Sequence, residues 1–240
     1  MGYIDVHSHI IPGVDDGSKD MEMTLNMLKI AAHDGVTEIF ATPHNMPGKG
    51  KADFDIVWDG IEAVQKAADE QGIDIIIYPG CEYFFREEIL TLMQEERIVP
   101  MGNSDIVLVE FDPGADFPYI RNSLQEVLSM AYRPLLAHVE RYASVIKDKK
   151  NVEYLRDIGV LIQTNAQSVT GKAGAKIKTA VNGLLKHGDI DFIGSDAHRD
   201  TGSRTTAMAE CVSYLYKKYD ERYVEGILRE NAVQYGMLDY

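Results

Sequence analysis

The chain has 240 residues, of which 45% are hydrophobic and 26% charged; this much apolar surface can offset ordering entropy and excludes a disordered chain. Twenty glycines and eight prolines without a period exclude a fibrous one. The 24 Lys+Arg against 38 Asp+Glu leave a net charge of -14, which argues against a general binder of nucleic acid or anionic membranes, although a bound metal would invert the field locally and still admit an anionic substrate.

Seven short apolar runs follow one another along the chain: Tyr3–Val6, Glu38–Ala41, Asp74–Tyr78, Ile106–Val109, Pro134–Ala137, Val160–Gln163 and Asp191–Ile193. Most are near-continuous in Val, Ile, Leu and Phe, as strands of a parallel sheet buried on both faces are. Helical patterns fill the gaps at Met21–His33, Phe54–Glu70, Glu87–Glu95, Ile120–Met130, Val152–Asp157 and Ala175–Lys186, and Thr205–Lys217 and Glu221–Asn231 close the chain. No linker or shift in composition divides it, so one domain over residues 1–240 is expected. The N-terminus lacks the basic and apolar regions of a signal peptide, and no apolar run approaches the ~20 residues of a membrane span; a cytoplasmic location without membrane insertion is the expectation. Cys81 and Cys211 form no disulfide framework and read as packing residues.

Every run ends in polar side chains. In order these are His7-Ser8-His9, Thr42-Pro43-His44-Asn45, Gly80-Cys81-Glu82, Glu110-Phe111-Asp112, His138-Val139-Glu140-Arg141, Thr164-Asn165 and Ser195-Asp196-Ala197-His198. A doubly wound sheet would gather its site at one switch point, whereas a barrel brings every strand end to a common mouth. The spread favours an α/β fold of the TIM-like (β/α)7 barrel type. Five of the seven histidines stand at these ends, with Asp16, Glu82, Glu110 and Asp196 near them. So many carboxylates at one mouth need compensating cations. The alternation His7-x-His9 puts two imidazoles on one side of a strand. Mixed nitrogen and oxygen donors suit Mn, Fe or Zn. His33 and His187 fall at helix ends and read as structural or solvent-facing.

These motifs carry a resemblance. His7-Ser8-His9 followed by Val14-Asp15-Asp16-Gly17, then Thr42-Pro43-His44, His138-Val139-Glu140-Arg141-Tyr142 and Gly194-Ser195-Asp196-Ala197-His198, resemble the polymerase-and-histidinol-phosphatase (PHP) family in content and order. The opening HSHIIPGVDDGSKD is similar to that of the manganese-dependent protein-tyrosine phosphatases of capsule and exopolysaccharide clusters in Gram-positive bacteria. The resemblance implies a distorted seven-stranded barrel with two to three divalent metals, Mn foremost, at its mouth. It implies His7, His9, Glu82 and Asp196 around one metal, and Glu82, Glu110 and His138 around a second bridged by Glu82. Asp16, His44 and His198 would hold a third. Arg141 and Arg204 correspond to the phosphate-binding arginines, and the implied partner is a phosphotyrosine-bearing protein, a cognate bacterial tyrosine kinase. In that chemistry the cations acidify a bridging water and orient it for in-line attack on phosphorus, while the arginines match phosphate oxygens with a planar donor fork.

Other arrangements fit less well. A thiol phosphatase needs Cys-x5-Arg, and Arg86 falls one residue short after Cys81. No phosphate-cradling glycine loop or nucleophile-elbow motif occurs. Met46–Asp53 reads as a solvated, mobile loop, with a lid carrying Lys49 or Lys51 as the alternative; Phe117 and Tyr119 stand where they could line an entry for an aromatic phosphate. A small-molecule phosphatase such as histidinol-phosphate phosphatase, or a metal-binding interaction module without turnover, are the rival functions.

Overall fold

In the computed structural model, which describes residues 2–238, the strands are β1 (Tyr3–Ser8), β2 (Val36–Ala41), β3 (His44–Met46), β4 (Gly50–Lys51), β5 (Ile76–Pro79), β6 (Glu82–Phe84), β7 (Ile106–Glu110), β8 (Arg133–Leu136), β9 (Leu161–Asn165) and β10 (Phe192–Gly194). Parallel pairing runs β1-β2-β5 through the lower half and β3-β6-β7-β8-β9-β10 through the upper half. The halves are one surface, because β2 runs into β3 and β5 into β6. Pro43 lacks a ladder N–H and interrupts the first of these runs, while Gly80-Cys81 interrupts the second. The ring closes where Asp196 N donates to His7 O (2.8 Å) and His9 N to Ala197 O (2.9 Å). The expected distorted barrel of seven runs is therefore what the chain forms.

The near-continuous apolar runs serve two cores. Ile4, Val6, Phe40, Ile106, Leu108, Leu135, Ala137, Leu161 and Phe192 fill the interior, and Ala232, Met237 and Leu238 plug the end away from the mouth. The alternate residues Ile39, Ala41, Val107, Val109, Leu136, Ile162 and Ile193 face outward to the helices, following the period of two along a strand. Those helices are α1 (Met21–His33), α2 (Phe54–Glu70), α3 (Glu87–Gln94), α4 (Phe117–Ser129), α5 (Ala143–Ile146), α6 (Lys149–Asp157), α7 (Ala166–Thr170), α8 (Ala175–His187), α9 (Ala209–Lys218), α10 (Glu221–Glu225) and, after a π turn at Gly226–Glu230, α11 (Asn231–Gln234). His33 and His187 are exposed at the ends of α1 and α8. Among the described residues no helix is long and apolar enough to cross a membrane.

The structure moves several boundaries. Helix α4 starts at Phe117 rather than Ile120, because Asp116 caps it (Oδ1 accepts from Tyr119 N, 2.8 Å) and Pro118 suits a first turn. Helix α9 starts at Ala209 rather than Thr205: Asp34 accepts from Met208 N and Ala209 N (2.8 and 2.9 Å), and Thr206 bonds Met27 O, so the preceding residues are drawn to α1. The segment expected as a mobile loop after His44 is instead an antiparallel hairpin of β3 and β4. Met46-Pro47-Gly48-Lys49, with Gly48 at φ 82° and Lys49 N bonding Met46 O, has the signature of a type II turn.

The tightest point of the ring is Gly194. A Cβ there would lie 2.6 Å from His7 Cβ and 2.9 Å from Gln163 Nε2, so only glycine lets β10 approach β1 and β9 this closely. Gly194→Ala is expected to cost about 1–3 kcal/mol of stability through overpacking. Urea unfolding measures it, and an unchanged midpoint would refute the close approach.

Candidate metal centre

The barrel interior changes from apolar to ionisable along each strand without changing face. Counting by twos, Phe40 leads to Thr42 and His44, Tyr78 to Gly80 and Glu82, Leu108 to Glu110, Leu161 to Gln163 and Asn165, and Phe192 to Gly194 and Asp196. Two strands break the count. A register shift in β1 between Asp5 and Ser8 turns His7 and His9 inward after Val6. On β8 the left-handed backbone of His138 (φ 34°) turns its side chain inward after Ala137. Asp196 (φ 51°) and Arg204 (φ 59°) share that sparsely populated region. Left-handed non-glycine residues cost about 1–2 kcal/mol each; of the five among the described residues three stand at the mouth, the other two being Glu96 and Ala131 after helices α3 and α4.

Glu82 is the centre of the arrangement. Its Oε2 lies 3.2 Å from His7 Nε2, 3.2 Å from His9 Nε2 and 3.1 Å from His44 Nδ1, and its Oε1 lies 2.8 Å from His138 Nε2. Glu110 stands 2.9 Å from His44 Nδ1 and 3.7 Å from His138 Nε2. Asp196 Oδ1 lies 3.8 Å from His7 and 3.6 Å from His9. Asp16 Oδ1 is 3.5 Å from His44 Nε2 and 3.4 Å from His198 Nε2. All nine residues expected as ligands thus come together. Among the described residues, three groupings are compact enough to share an ion: His7, His9 and Glu82; His44, Glu82 and Glu110; His9, His44 and His198. His9 and His44 each fall in two of them, so the donors form one continuous cluster rather than separate sites.

The donor set fits divalent metal. Both ring nitrogens of His44, Glu82 Oε2 and Glu110 Oε1 are buried without a hydrogen-bond partner, although they lie near one another. Polar atoms that converge in this way without hydrogen-bond geometry aim lone pairs at common points, as ligands do. The electrostatics agree. Burial disfavours the charge on Glu82, yet the surrounding imidazoles, His7 and His44 first, hold its carboxyl well below the usual range. Burial likewise opposes charge on His9, but Asp15 and Glu82 outweigh it and raise the imidazole to about 10. The carboxylates at this mouth demand cations.

Residues beneath the ligands orient them. Asp15 is the one that the sequence reading passed over: its Oδ2 accepts from His9 Nδ1 (2.8 Å) and from His44 N (2.8 Å), and its side chain is fully buried. The bond at Nδ1 fixes the ring with Nε2 toward Glu82, where a bound cation would displace the Nε2 proton and take that nitrogen as a ligand. The Asp15-Asp16 doublet was the available signal, but only the fold separates them, since Asp16 is 41% exposed and faces His44 and His198. Gln163 Oε1 accepts from His138 N (2.6 Å) and lies 3.4 Å from His7 Nδ1, and Asn165 Nδ2 donates to Asp196 (2.9 Å). The Tyr142 hydroxyl accepts from Phe111 N and sits 3.4 Å from His138 Nδ1. At the rim, Arg141 pairs with Asp196 Oδ2 and Arg204 with Asp196 Oδ1 (2.7 Å); the two side chains are 34% and 36% exposed. Cys81 is buried, bonds Pro43 O, and has its thiol pushed up by burial, which suits packing and not nucleophilic chemistry.

Residues 3–235 match the model of a family described as Capsular polysaccharide synthesis, CpsB/CapC. The chain belongs to the CpsB/CapC family. Among its relatives are the tyrosine-protein phosphatase CpsB of Streptococcus agalactiae serotype III (26% identical, spanning 95% of this chain and 96% of that one) and the tyrosine-protein phosphatase YwqE of Bacillus subtilis (26%, 95% and 89%). A solved structure from work on YwqE of B. subtilis and CpsB of Streptococcus pneumoniae, described as metal-dependent tyrosine phosphatases, superposes with a TM-score of 0.89 at 25% identity, covering 97% of this chain and 93% of that one. A lactonase from Listeria monocytogenes shares the fold alone, with a TM-score of 0.64 at 11% identity.

Around the mouth of this CpsB/CapC barrel, the β3–β4 hairpin packs onto the ligand loop. A Cβ on Gly50 would lie 2.7 Å from Asp15 Cβ and 2.8 Å from His44 O. Of the two aromatic residues expected near an entry, Tyr119 is exposed and meets Phe85 and Phe111 edge-on, and Phe111 leads through Tyr142 to His138. Phe117 packs against Tyr154 instead. Asp15→Asn is expected to weaken metal binding about 10–100-fold with the fold intact. Calorimetric titration of metal alongside circular dichroism checks this, and unaltered affinity would remove Asp15 from the role of orienting His9.

Proposed function

We propose that this chain is a metal-dependent phosphatase that hydrolyses phosphotyrosine on a protein. The observation that carries the reading is the gathering of nine candidate ligand residues in one cluster, with four imidazoles around buried Glu82 at its centre and two part-exposed arginines at the rim. His7, His9, Glu82 and Asp196 would hold one cation, Glu82, Glu110 and His138 a second, and Asp16, His44 and His198 a third. Two to three divalent ions suit this mixture of imidazole and carboxylate, and the resemblance to manganese-dependent phosphatases favours Mn over Fe or Zn. Such ions supply Lewis-acid charge and a water acidic enough to serve as nucleophile at neutral pH.

The protein's own groups do the positioning. Arg141 and Arg204 present permanently charged, planar donor forks to the non-bridging phosphate oxygens, where negative charge must be matched in the transition state. Asp196 contacts both guanidinium groups and so sets where they stand. Buried Asp15 orients the His9 ring and Gln163 anchors the backbone of His138, so the donors need little reorganisation. The phosphoprotein would be a bacterial tyrosine kinase controlling capsule or exopolysaccharide synthesis, and the setting the cytoplasm. The relatives named above favour this over histidinol-phosphate hydrolysis.

Hydrolysis of a phosphotyrosyl peptide with Mn is expected to fall at least 100-fold after thorough chelation and to return when Mn is restored. Arg141→Ala is expected to lower kcat/KM by about 10²–10³ with metal content unchanged. Turnover that survives chelation, or survives His138→Ala combined with Arg141→Ala, would overturn the function.

A further inference from the structure

Beside the metal centre lies a second, separate concavity of about 510 Å³, lined by Met46, Pro47, Lys49, Lys51, Arg86 and Glu88. With Gly48 and Gly50 the lining has eight residues, of which three are cationic and one is acidic, in a chain with 38 acids against 24 Lys+Arg. The cations do not stand on a wandering loop. The hairpin pairs Asn45 with Lys51 and Met46 with Gly50, Asn45 Nδ2 donates to Ala52 O (2.5 Å), and Gly50 is wedged against Asp15. Arg86 is fixed from the opposite wall, its Nη2 donating to Asn45 Oδ1 (2.7 Å) and its Nη1 to Asn45 O (3.2 Å). Glu88 neutralises little of this, being 75% exposed with its nearest oxygen 3.8 Å from Arg86 Nε.

The place of the cleft matters as much as its charge. Strand β3 carries the candidate ligand His44 at one end and the cleft residue Met46 at the other, and two residues of strand span about 7 Å. That is the reach of two residues of an extended substrate chain. Lys49 Nζ approaches within 4.0 Å of Asp16 Oδ2, so the cleft and the mouth share a wall.

We propose that this cleft is a specificity subsite for an anionic side chain lying two or three residues from the phosphotyrosine. This rests on the phosphatase reading above and adds to it the class of protein segment preferred. The anion is a carboxylate or a second phosphate, since Lys and Arg bind both. Met46 and Pro47 offer apolar contact to the intervening stem.

The test compares metal-loaded enzyme on pairs of phosphotyrosyl peptides that differ only at the second and third flanking positions, Glu against Gln, and phosphotyrosine against tyrosine. Within each protein the ratio of kcat/KM for the two members cancels differences in folded or metal-loaded fraction. Wild type is expected to favour at least one anionic member by roughly five- to tenfold at low salt, as two or three exposed ion pairs allow, with the ratio shrinking as salt rises. The larger ratio identifies the source of the anion. In Lys49→Gln/Lys51→Gln the ratio is expected to fall to about 1, and Lys49→Glu/Lys51→Glu should reverse it. Ratios below about 2 in wild type, or ratios that persist in both variants, overturn the subsite while leaving the phosphatase standing. No turnover of any peptide overturns the function and the subsite together.

Discussion

Glu82 is a carboxylate buried at the mouth of a barrel, surrounded at 2.8–3.2 Å by four imidazoles. Removing such a charge from water costs several kcal/mol, so it persists only where positive charge is brought to it. Most of the unusual local structure around it answers that demand. His7, His9, His44 and His138 approach from three different runs, Asp15 and Gln163 hold them, and Arg141 and Arg204 balance Asp196 on the far side. Divalent cations would meet the same demand more completely, and the donors with no hydrogen-bond partner are those that such ions would engage.

The barrel delivers these groups by one rule and two exceptions. Along most strands the inward face runs from apolar at the bottom to ionisable at the top, so that one ladder builds both the core and the site. On β1 and β8 the period of two would leave histidines facing the helices. The register shift before Ser8 and the left-handed backbone at His138 correct this. Gly194 serves the same end by letting β10 close on β1 beneath His7. Local strain is thus concentrated where function needs side chains that ideal strands would misplace.

Much of this was legible beforehand because parallel strands buried on both faces leave near-continuous apolar runs. The seven runs, their order and the ligand-bearing ends could be read directly, as could His7-x-His9 on one side of a strand. Segments whose conformation depends on distant partners were less legible. The chain after His44 looks like a mobile loop by composition, yet Asn45, Ala52, Asp15 and Arg86 make it an ordered hairpin with a basic cleft. The helical pattern from Thr205 does not reveal that α9 starts at Ala209, because the amides of Met208 and Ala209 are satisfied by Asp34, more than 170 residues away.

The sequence by itself determined the barrel, the family and the list of candidate ligands, because short apolar runs and motifs are local properties of the chain. Only the tertiary structure decided how the Asp15-Asp16 pair divides, one carboxylate buried against His9 and the other open to His44 and His198. It also decided that Arg141 and Arg204 meet on one aspartate, and that His9 and His44 make the donors a single cluster. The physical reason is that charge balance at a buried site is set by distances between strands far apart in sequence. The net charge of -14 hides that balance, since it counts acids without saying which ones face one another.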